Sequence, residues 1–94
     1  MNLNNKVFYK NKTDEELIAF IIKGKERAFD ERYSKRLFFF FYQKLYQNHD
    51  KAQDFLQDLF LKVIEKAKLF DQKRTFSIWI YSIAYNMCKN EYRQ

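Results

Sequence analysis

Proline is absent from this 94-residue sequence, and glycine occurs only once, at position 24. Strands and hairpins need the turns that these residues favour, so their scarcity predicts an all-helical fold. Cys88 is the only cysteine, which excludes an internal disulfide. Lys44 interrupts the longest strongly apolar stretch, and no N-terminal segment has the order of a signal peptide. We therefore expect a protein of the reducing cytoplasm without membrane insertion.

Motifs of common catalytic and metal sites are also missing. The sequence has no glycine-rich phosphate loop, nucleophile elbow or His-Glu zinc motif. His49 is the only histidine and has no Cys or His neighbour at ligand spacing. The sequence therefore predicts no enzyme, no catalytic residue, no metal site and no cofactor.

Basic and apolar residues are abundant. The chain has 18 Lys and Arg against 12 Asp and Glu, a formal net charge of +6, and 47% of its residues are hydrophobic. That apolar fraction excludes a disordered chain, and the length suits a single domain. The charge favours an acidic partner such as nucleic acid, although an anionic membrane also fits.

Capping signals and apolar periodicity predict four helices. Residues 1–12 are predicted to be a flexible N-terminal tail, and residues 13–94 a helical domain. The first helix begins with a capping box of Thr13 and Glu16 and ends at Gly24. A second helix is predicted from about residue 26 to residue 46. A third follows the turn and cap residues 48–50 and ends near residue 70, and a last one follows a polar loop at 71–75.

One face of each helix is predicted to point inward. The predicted inward residues are Leu17, Phe20 and Ile21; Phe29, Tyr33, Leu37, Phe40, Phe41 and Leu45; Ala52, Phe55, Leu56, Leu59, Phe60, Val63, Ile64 and Ala67; and Phe76, Ile80, Ile83, Ala84 and Met87. Phe38 and Phe39 lie off this stripe, and we expect burial rather than contact with a partner for them.

The third helix has a second face that packing does not require. Asp54 and Asp58 are one turn apart, as are Gln57 and Leu61, so together they form an acidic face with an apolar edge. Such a face suits a basic helical partner, and its sign opposes the net charge of the chain. An ordinary solvated surface is the alternative.

The last helix carries tyrosines and polar residues outside its core stripe. Its predicted outward residues are Ile78, Tyr81, Ser82, Tyr85, Lys89 and Tyr92, with Asn86, Asn90 and Arg93 beside them and Lys73 and Arg74 in the preceding loop. Rings interleaved with cations are typical of surfaces that stack unpaired bases and bind phosphates. A half-buried helix face is the alternative, since tyrosine often packs by its ring.

Three segments in this order resemble region 2 of the extracytoplasmic-function group of sigma-70 family factors, from Thr13 to Gln94. They are Thr-Asp-Glu-Glu-Leu at 13–17 with Gly24, Ala28 and Phe29; Asp54-x-x-Gln57-Asp58-x-Phe60; and Phe70-Asp71 followed by the basic loop and Phe76-x-x-Trp79-Ile80-Tyr81-x-Ile83-Ala84-x-Asn86. The resemblance implies a compact bundle of about four helices. It also implies a transcription initiation factor that docks on core RNA polymerase and recognises and melts the promoter minus-ten element.

The resemblance further implies the residues that act. The polymerase-binding residues, which meet the clamp helices of the largest subunit, would be Asp54, Gln57, Asp58, Phe60 and Leu61. The DNA-binding residues, which meet mainly the non-template single strand, would be Lys73, Arg74, Thr75, Phe76, Trp79, Tyr81, Ser82, Tyr85, Asn86 and Lys89. Many members of the group have Arg where this chain has Ser82, so one charge contact is expected to be missing. An anti-sigma factor is a further partner that the resemblance implies.

Two other interpretations stay open at the level of sequence. A protein-only helical adaptor or sigma mimic would keep the acidic face without reading DNA. A basic protein of the membrane surface ranks last, because no long helix has one basic and one apolar face. The helix-turn-helix domain of region 4 is absent from this chain, so we expect weak promoter selectivity.

Overall fold

Helices account for nearly all of residues 12–70 and 75–92, which are the residues that the computed structural model describes, and these ranges contain no strand. The elements are α1 (Asp14–Ile22), α2 (Glu26–Phe29), a π-helical segment (Asp30–Ser34), α3 (Lys35–Lys44), α4 (His49–Lys66), a 3₁₀ turn (Ala67–Leu69) and α5 (Phe76–Tyr92). The predicted all-α class is confirmed. Residues 1–11 of the predicted tail and residues 71–74 of the predicted loop lie outside the described ranges.

Helix α1 has the two ends that its sequence predicts. The Glu16 amide donates to Thr13 Oγ1 at 3.2 Å, and the Thr13 amide donates to Glu16 Oε1 at 2.9 Å, which completes the capping box. At the other end Gly24 has a φ of +84°. The amides of Gly24 and Lys25 donate back to the carbonyls of Ile21 and Phe20, at 2.8 and 3.0 Å. This Schellman arrangement needs the left-handed conformation that glycine adopts without strain.

The second predicted helix is continuous over residues 26–44, but it is not a uniform α-helix. Helices α2 and α3 are joined by the π-helical segment, whose flanking residues keep right-handed helical angles. The helix ends two residues before the predicted position. Tyr46 and Gln47 have φ values of 59° and 57°, and they reverse the chain where no glycine is available. The amide of Gln47 donates to the Tyr42 carbonyl at 2.8 Å in this turn.

Helix α4 begins where a cap is available. Asn48 Oδ1 accepts from the Lys51 amide at 3.0 Å, as an N-cap asparagine does. The apolar stripe of α4 then contacts α1, α3 and α5, so α4 is the central helix. The 3₁₀ turn closes it, and α5 begins at Phe76, after the polar loop.

The core is formed by one face of each helix. Its buried residues are Leu17, Ile21, Ala28, Phe29, Tyr33, Leu37, Phe41, Leu45, Ala52, Leu59, Phe60, Val63, Phe76, Ile80, Ala84 and Cys88. All except Ala28 and Cys88 belong to the predicted inward stripes, whose other members are half-buried. The expectation for Phe39 is wrong, because 58% of its surface is exposed, whereas Phe38 is half-buried against His49.

Aromatic contacts connect the helices inside this core. Tyr33 of the π-helical segment meets Phe76 at the start of α5, with ring centroids 5.7 Å apart. Burial, followed by the nearby Asp14 carboxylate, raises the pKa of the Tyr33 phenol to about 12. Arg32, on the same segment, forms an ion pair with Asp14 at 3.0 Å and donates to the Lys12 carbonyl at 2.9 Å. The π-helical segment therefore ties α1 and α5 to the second helix.

Candidate binding surfaces on helices α4 and α5

The acidic face predicted on the third helix is exposed on α4. Asp54, Gln57, Asp58 and Leu61 all reach solvent, and 58% of Leu61 is accessible. Asp54 and Asp58 form no ion pair with any of the described residues. Unpaired carboxylates around an exposed leucine give this face both charge and apolar area for a partner.

Two further acids extend the acidic face. Asp50 lies one turn before Asp54, and Glu65 lies two turns after Asp58, and both are exposed. Asp50 Oδ1 also lies 3.6 Å from His49 Nδ1. Sequence reasoning missed both residues, although their spacing of four and seven residues from the central aspartates is the signal that places them on one side of a helix.

Phe60 differs from the other four residues expected to contact polymerase. Only 6% of it is exposed, and its ring lies 5.3 Å from that of Phe29, between centroids. The ring therefore belongs to the core, as its place in the predicted inward stripe implies, and it offers little surface for direct contact with polymerase. The apolar contact on this face is instead the neighbouring Leu61.

A groove runs beside the acidic face, between α4 and the second helix. Its volume is about 290 Å³. Its walls are polar and its floor is apolar and aromatic: Glu26, Asp30, Ser34, Gln53 and Gln57 form the walls, and Phe29, Leu56 and Phe60 the floor. Gln57 Nε2 approaches Glu26 Oε2 to 3.5 Å across it. The groove thus places a second pair of carboxylates, from Glu26 and Asp30, next to the acidic face, with Gln57 common to both.

The outer face of α5 consists of six exposed residues. They are Ile78, Ser82, Tyr85, Asn86, Lys89 and Tyr92. Tyr85 is 52% exposed, so its ring is accessible for stacking. Ser82 Oγ donates to the Trp79 carbonyl at 2.7 Å, which engages this hydroxyl with its own helix.

Other residues expected to bind DNA are less accessible. Phe76 is buried, as its place in the predicted inward stripe implies, and it offers little surface to DNA. Tyr81 is half-buried against Phe40 of α3, with centroids 5.5 Å apart, and does not belong to the outer face. Trp79 is half-buried against Phe70, with centroids 5.0 Å apart. Thr75 is exposed, and its carbonyl accepts from the Trp79 amide at 3.1 Å.

Lys73 and Arg74, the cations of the basic loop, lie outside the described residues.

Helix α4 carries cations on the flank that faces α5, which sequence reasoning also missed. Lys62 and Lys66, one turn apart, line a cleft with Asn86 and Asn90 of α5. Within the described ranges neither lysine forms an ion pair, whereas Lys51 on the same flank pairs with Glu91. The lysine spacing was visible in the sequence, but the neighbouring helix was not. One helix thus separates acids on its outer side from free cations beside α5.

These surfaces offer binding groups rather than a cluster typical of metal sites. Among the described residues no group of three or more His, Cys, Asp or Glu side chains is placed to hold a metal ion. Cys88 is buried, and desolvation raises the pKa of its thiol, which keeps it in the unreactive protonated form. In the same residues no helix is long and apolar enough to cross a bilayer.

Comparison with known proteins identifies one family. A sequence model described as Sigma-70 region 2 matches residues 30–94, which is more than half of the chain. The match includes α4, α5 and both binding surfaces. Neither the curated proteins nor the solved structures yield a match.

Proposed function

The chain belongs to the sigma-70 region 2 family, and from this premise we propose that it docks on core RNA polymerase through α4 and melts the promoter minus-ten element with α5. Domains of this family are non-enzymatic transcription initiation factors that bind core polymerase and promoter DNA. The proposal assigns those two partners to two different surfaces. The observation that carries it is the separation of charge on α4, whose acids face outward and whose unpaired lysines face α5.

Docking on polymerase is assigned to the acidic face. Asp54, Gln57 and Asp58 would meet basic residues of the clamp helices in the largest subunit, and Leu61 would supply apolar contact. Exposed, unpaired carboxylates complement a basic surface and raise the association rate, without breaking any internal ion pair. Phe60 would act indirectly, by fixing α4 against Phe29.

The groove beside the acidic face suits a cationic side chain from the same partner. Glu26 and Asp30 line the groove together with the aromatic residues Phe29 and Phe60. A guanidinium prefers this combination, because it forms hydrogen bonds with carboxylates and stacks on aromatic rings. We therefore include Glu26 and Asp30 in the docking surface, next to Gln57.

Promoter opening is assigned to the outer face of α5 and the loop before it. Tyr85 offers a ring for a base, while Asn86, Ser82 and Lys89 offer polar contacts to the non-template strand. Lys73 and Arg74 would neutralise phosphates. Tyr81, Trp79 and Phe76 would support this surface from their packed positions.

We also assign the chain to the extracytoplasmic-function group, on the three segments quoted from its sequence. Its action in the cytoplasm and its control by an anti-sigma factor are parts of the same proposal.

Titration against core RNA polymerase tests the docking assignment. We expect saturable binding by this chain, weakened at least tenfold by Asp58→Lys, because the substitution opposes like charges across the interface. Glu31→Lys is the matched control, since Glu31 is exposed but lines neither the acidic face nor the groove. The assignment would be contradicted if both variants weakened polymerase binding equally, or if Asp58→Lys left the affinity unchanged.

A second measurement separates the proposal from a protein-only adaptor. The proposal expects the chain to prefer single-stranded over duplex minus-ten DNA, in a salt-sensitive manner. An adaptor would bind polymerase through the same acidic face but show no such preference.

A further inference from the structure

Helix α4 carries a row of four charges whose order has a symmetry that neither assigned surface requires. Asp54, Asp58, Lys62 and Lys66 follow one another at intervals of four residues, so they form one ridge along the helix. Reversing the direction of the row exchanges every acid for a base. We propose that two copies of this chain pair through these rows in a two-fold dimer that covers the acidic face.

A two-fold axis brings opposite charges together along the whole row. With the axis near residue 60, Asp58 lies beside the partner's Lys62. Asp54 then lies beside the partner's Lys66. Each contact occurs twice, because both protomers of an isologous interface use the same surface. Four ion pairs form in this way, and no two like charges of the rows meet.

The packing of two α-helices permits this arrangement. Ridges made by every fourth residue interdigitate when two helices cross at about −50°, which is the commonest packing class in globular proteins. Two copies of α4 that cross in this way about a two-fold axis lay their charge rows side by side in opposite directions. The row spans about 18 Å, since an α-helix rises about 1.5 Å per residue. Both ends of one row therefore reach the partner's row at the same crossing.

The four charged side chains are available for pairing with a second copy. Asp54, Asp58 and Lys66 are exposed, and Lys62 is half-buried. Although Asp58 and Lys62 are one turn apart, none of the four forms an ion pair with any other residue that the structure describes. Association would therefore create ion pairs without breaking any within the protomer.

Leu61 supplies apolar area close to the symmetry axis. It directly follows residue 60, and 58% of its surface is exposed. A leucine from each protomer would be covered beside the axis, with the ion pairs around it. A single short helix crossing buries little surface, in the class below about 1,200 Å² in total. We therefore expect a weak and reversible dimer.

The dimer and the polymerase would compete for the same residues. Asp54, Asp58 and Leu61 lie in the dimer interface, and the proposed function assigns all three to polymerase docking. A paired chain would therefore keep its docking face covered until polymerase displaces the second copy. This competition rests on the proposed function, whereas the dimer itself does not.

Sedimentation equilibrium of the 94-residue chain tests the dimer. The apparent mass of the wild type should rise with concentration from 11.7 kDa towards twice that value. Asp58→Lys and Lys62→Asp should each raise the dimer dissociation constant about tenfold or more, because each variant places like charges together on both sides of the axis. An equimolar mixture of the two variants should dimerise again, since every contact between the different chains then joins a lysine to an aspartate.

Glu31→Lys is the matched control. It changes the net charge as Asp58→Lys does, but Glu31 is exposed outside the row, so this variant should dimerise like the wild type. A wild-type chain that stays monomeric at millimolar concentration would overturn the inference. Dimers that both row variants leave intact, or a mixture of the variants that stays monomeric, would also overturn it. None of these results would affect the proposed function.

Energy transfer between chains labelled at the amino terminus with donor or acceptor fluorophores tests the competition. Core polymerase should abolish the transfer, because it binds single chains. Transfer that persists in the polymerase complex would place the dimer on another face and overturn the inference. Absence of polymerase binding would instead overturn the docking half of the proposed function and leave the dimer standing.

Discussion

The rings of Phe29 and Phe60 lie with their centroids 5.3 Å apart, joining the second helix to α4. The next residue, Leu61, points to solvent on the acidic face. Two adjacent side chains of α4 thus have different roles. Phe60 packs in the core, and Leu61 is available to a partner. A helix produces this division because successive residues are about 100° apart around its axis.

This division predicts opposite effects at Phe60 and Leu61. Phe60→Ala should lower the free energy of unfolding by about 3–5 kcal/mol, since it leaves a cavity against Phe29. Leu61→Ala should change it by no more than about 0.5 kcal/mol, yet weaken binding to core polymerase. Urea denaturation and polymerase titration measure the two effects. A Leu61→Ala variant with wild-type polymerase affinity would remove Leu61 from the docking surface.

The two tyrosines of α5 should separate DNA binding from stability. Tyr85→Ala should weaken single-stranded DNA binding by about 1–3 kcal/mol, the value of one stacked base, and leave the unfolding free energy nearly unchanged. Tyr81→Ala should mainly destabilise the fold, because its ring packs against Phe40. Oligonucleotide titration and thermal denaturation of both variants test this. If Tyr81→Ala alone reduced DNA affinity, the assignment of the stacking ring would be reversed.

Glycine should be needed at position 24 because of the backbone conformation there, and not because a larger side chain would clash. A Cβ at this position would meet nothing within 4 Å, but φ is +84°. Gly24→Ala should therefore cost about 1–2 kcal/mol of stability, through left-handed strain alone. Gly24→Asn should cost less, since asparagine tolerates this conformation better. Denaturant unfolding of both variants would show the order, and equal destabilisation would contradict it.

The turn between α3 and α4 offers the reverse experiment. Gln47 holds a φ of 57° without being glycine, a conformation that costs about 1–3 kcal/mol. Gln47→Gly should stabilise the protein, because the relieved strain exceeds the roughly 0.5–1 kcal/mol of extra chain entropy that glycine loses on folding. Gln43→Gly is the control within α3 and should destabilise by a similar entropic amount. A fall in melting temperature for Gln47→Gly would contradict the argument.

Lowering the pH should remove the contribution that Glu16 makes to stability through the capping box of α1. The hydrogen bond from the Thr13 amide, the largest cause, lowers the pKa of Glu16 below its ordinary value of 4.5. A lowered folded-state pKa stabilises the protein above that ordinary value, and the contribution disappears as pH falls through the folded-state pKa. The melting temperature of Glu16→Gln should therefore lie below wild type at neutral pH and converge on it in acid. A difference that is independent of pH would mean that the carboxylate charge is not involved.

Local signals made much of the fold predictable. The Thr13 capping box, the Asn48 cap and Gly24 mark helix ends through hydrogen bonds within a few residues, which a sequence specifies directly. The acidic face was predictable for a similar reason, since Asp54 and Asp58 are one turn apart whatever packs behind them. Residues at the centre of each apolar stripe are buried as predicted.

The flanks of the helices were not predictable, because burial there depends on neighbouring helices. Tyr81 lies against α3 and is half-buried, while Phe39 stays exposed. Lys62 and Lys66 are an ordinary pair on one helix until α5 places two amides opposite them.

By itself, then, the sequence determined four helices, their caps and their central faces, since periodicity and capping act over one or two turns. Only the tertiary structure decided that Tyr81 packs against α3, that residues 30–34 form a π-helical segment, and that a basic cleft opens beside α5. Helical periodicity fixes the direction in which a side chain extends from the axis of its own helix. What that side chain meets depends on distances between helices, which arise when the whole core packs.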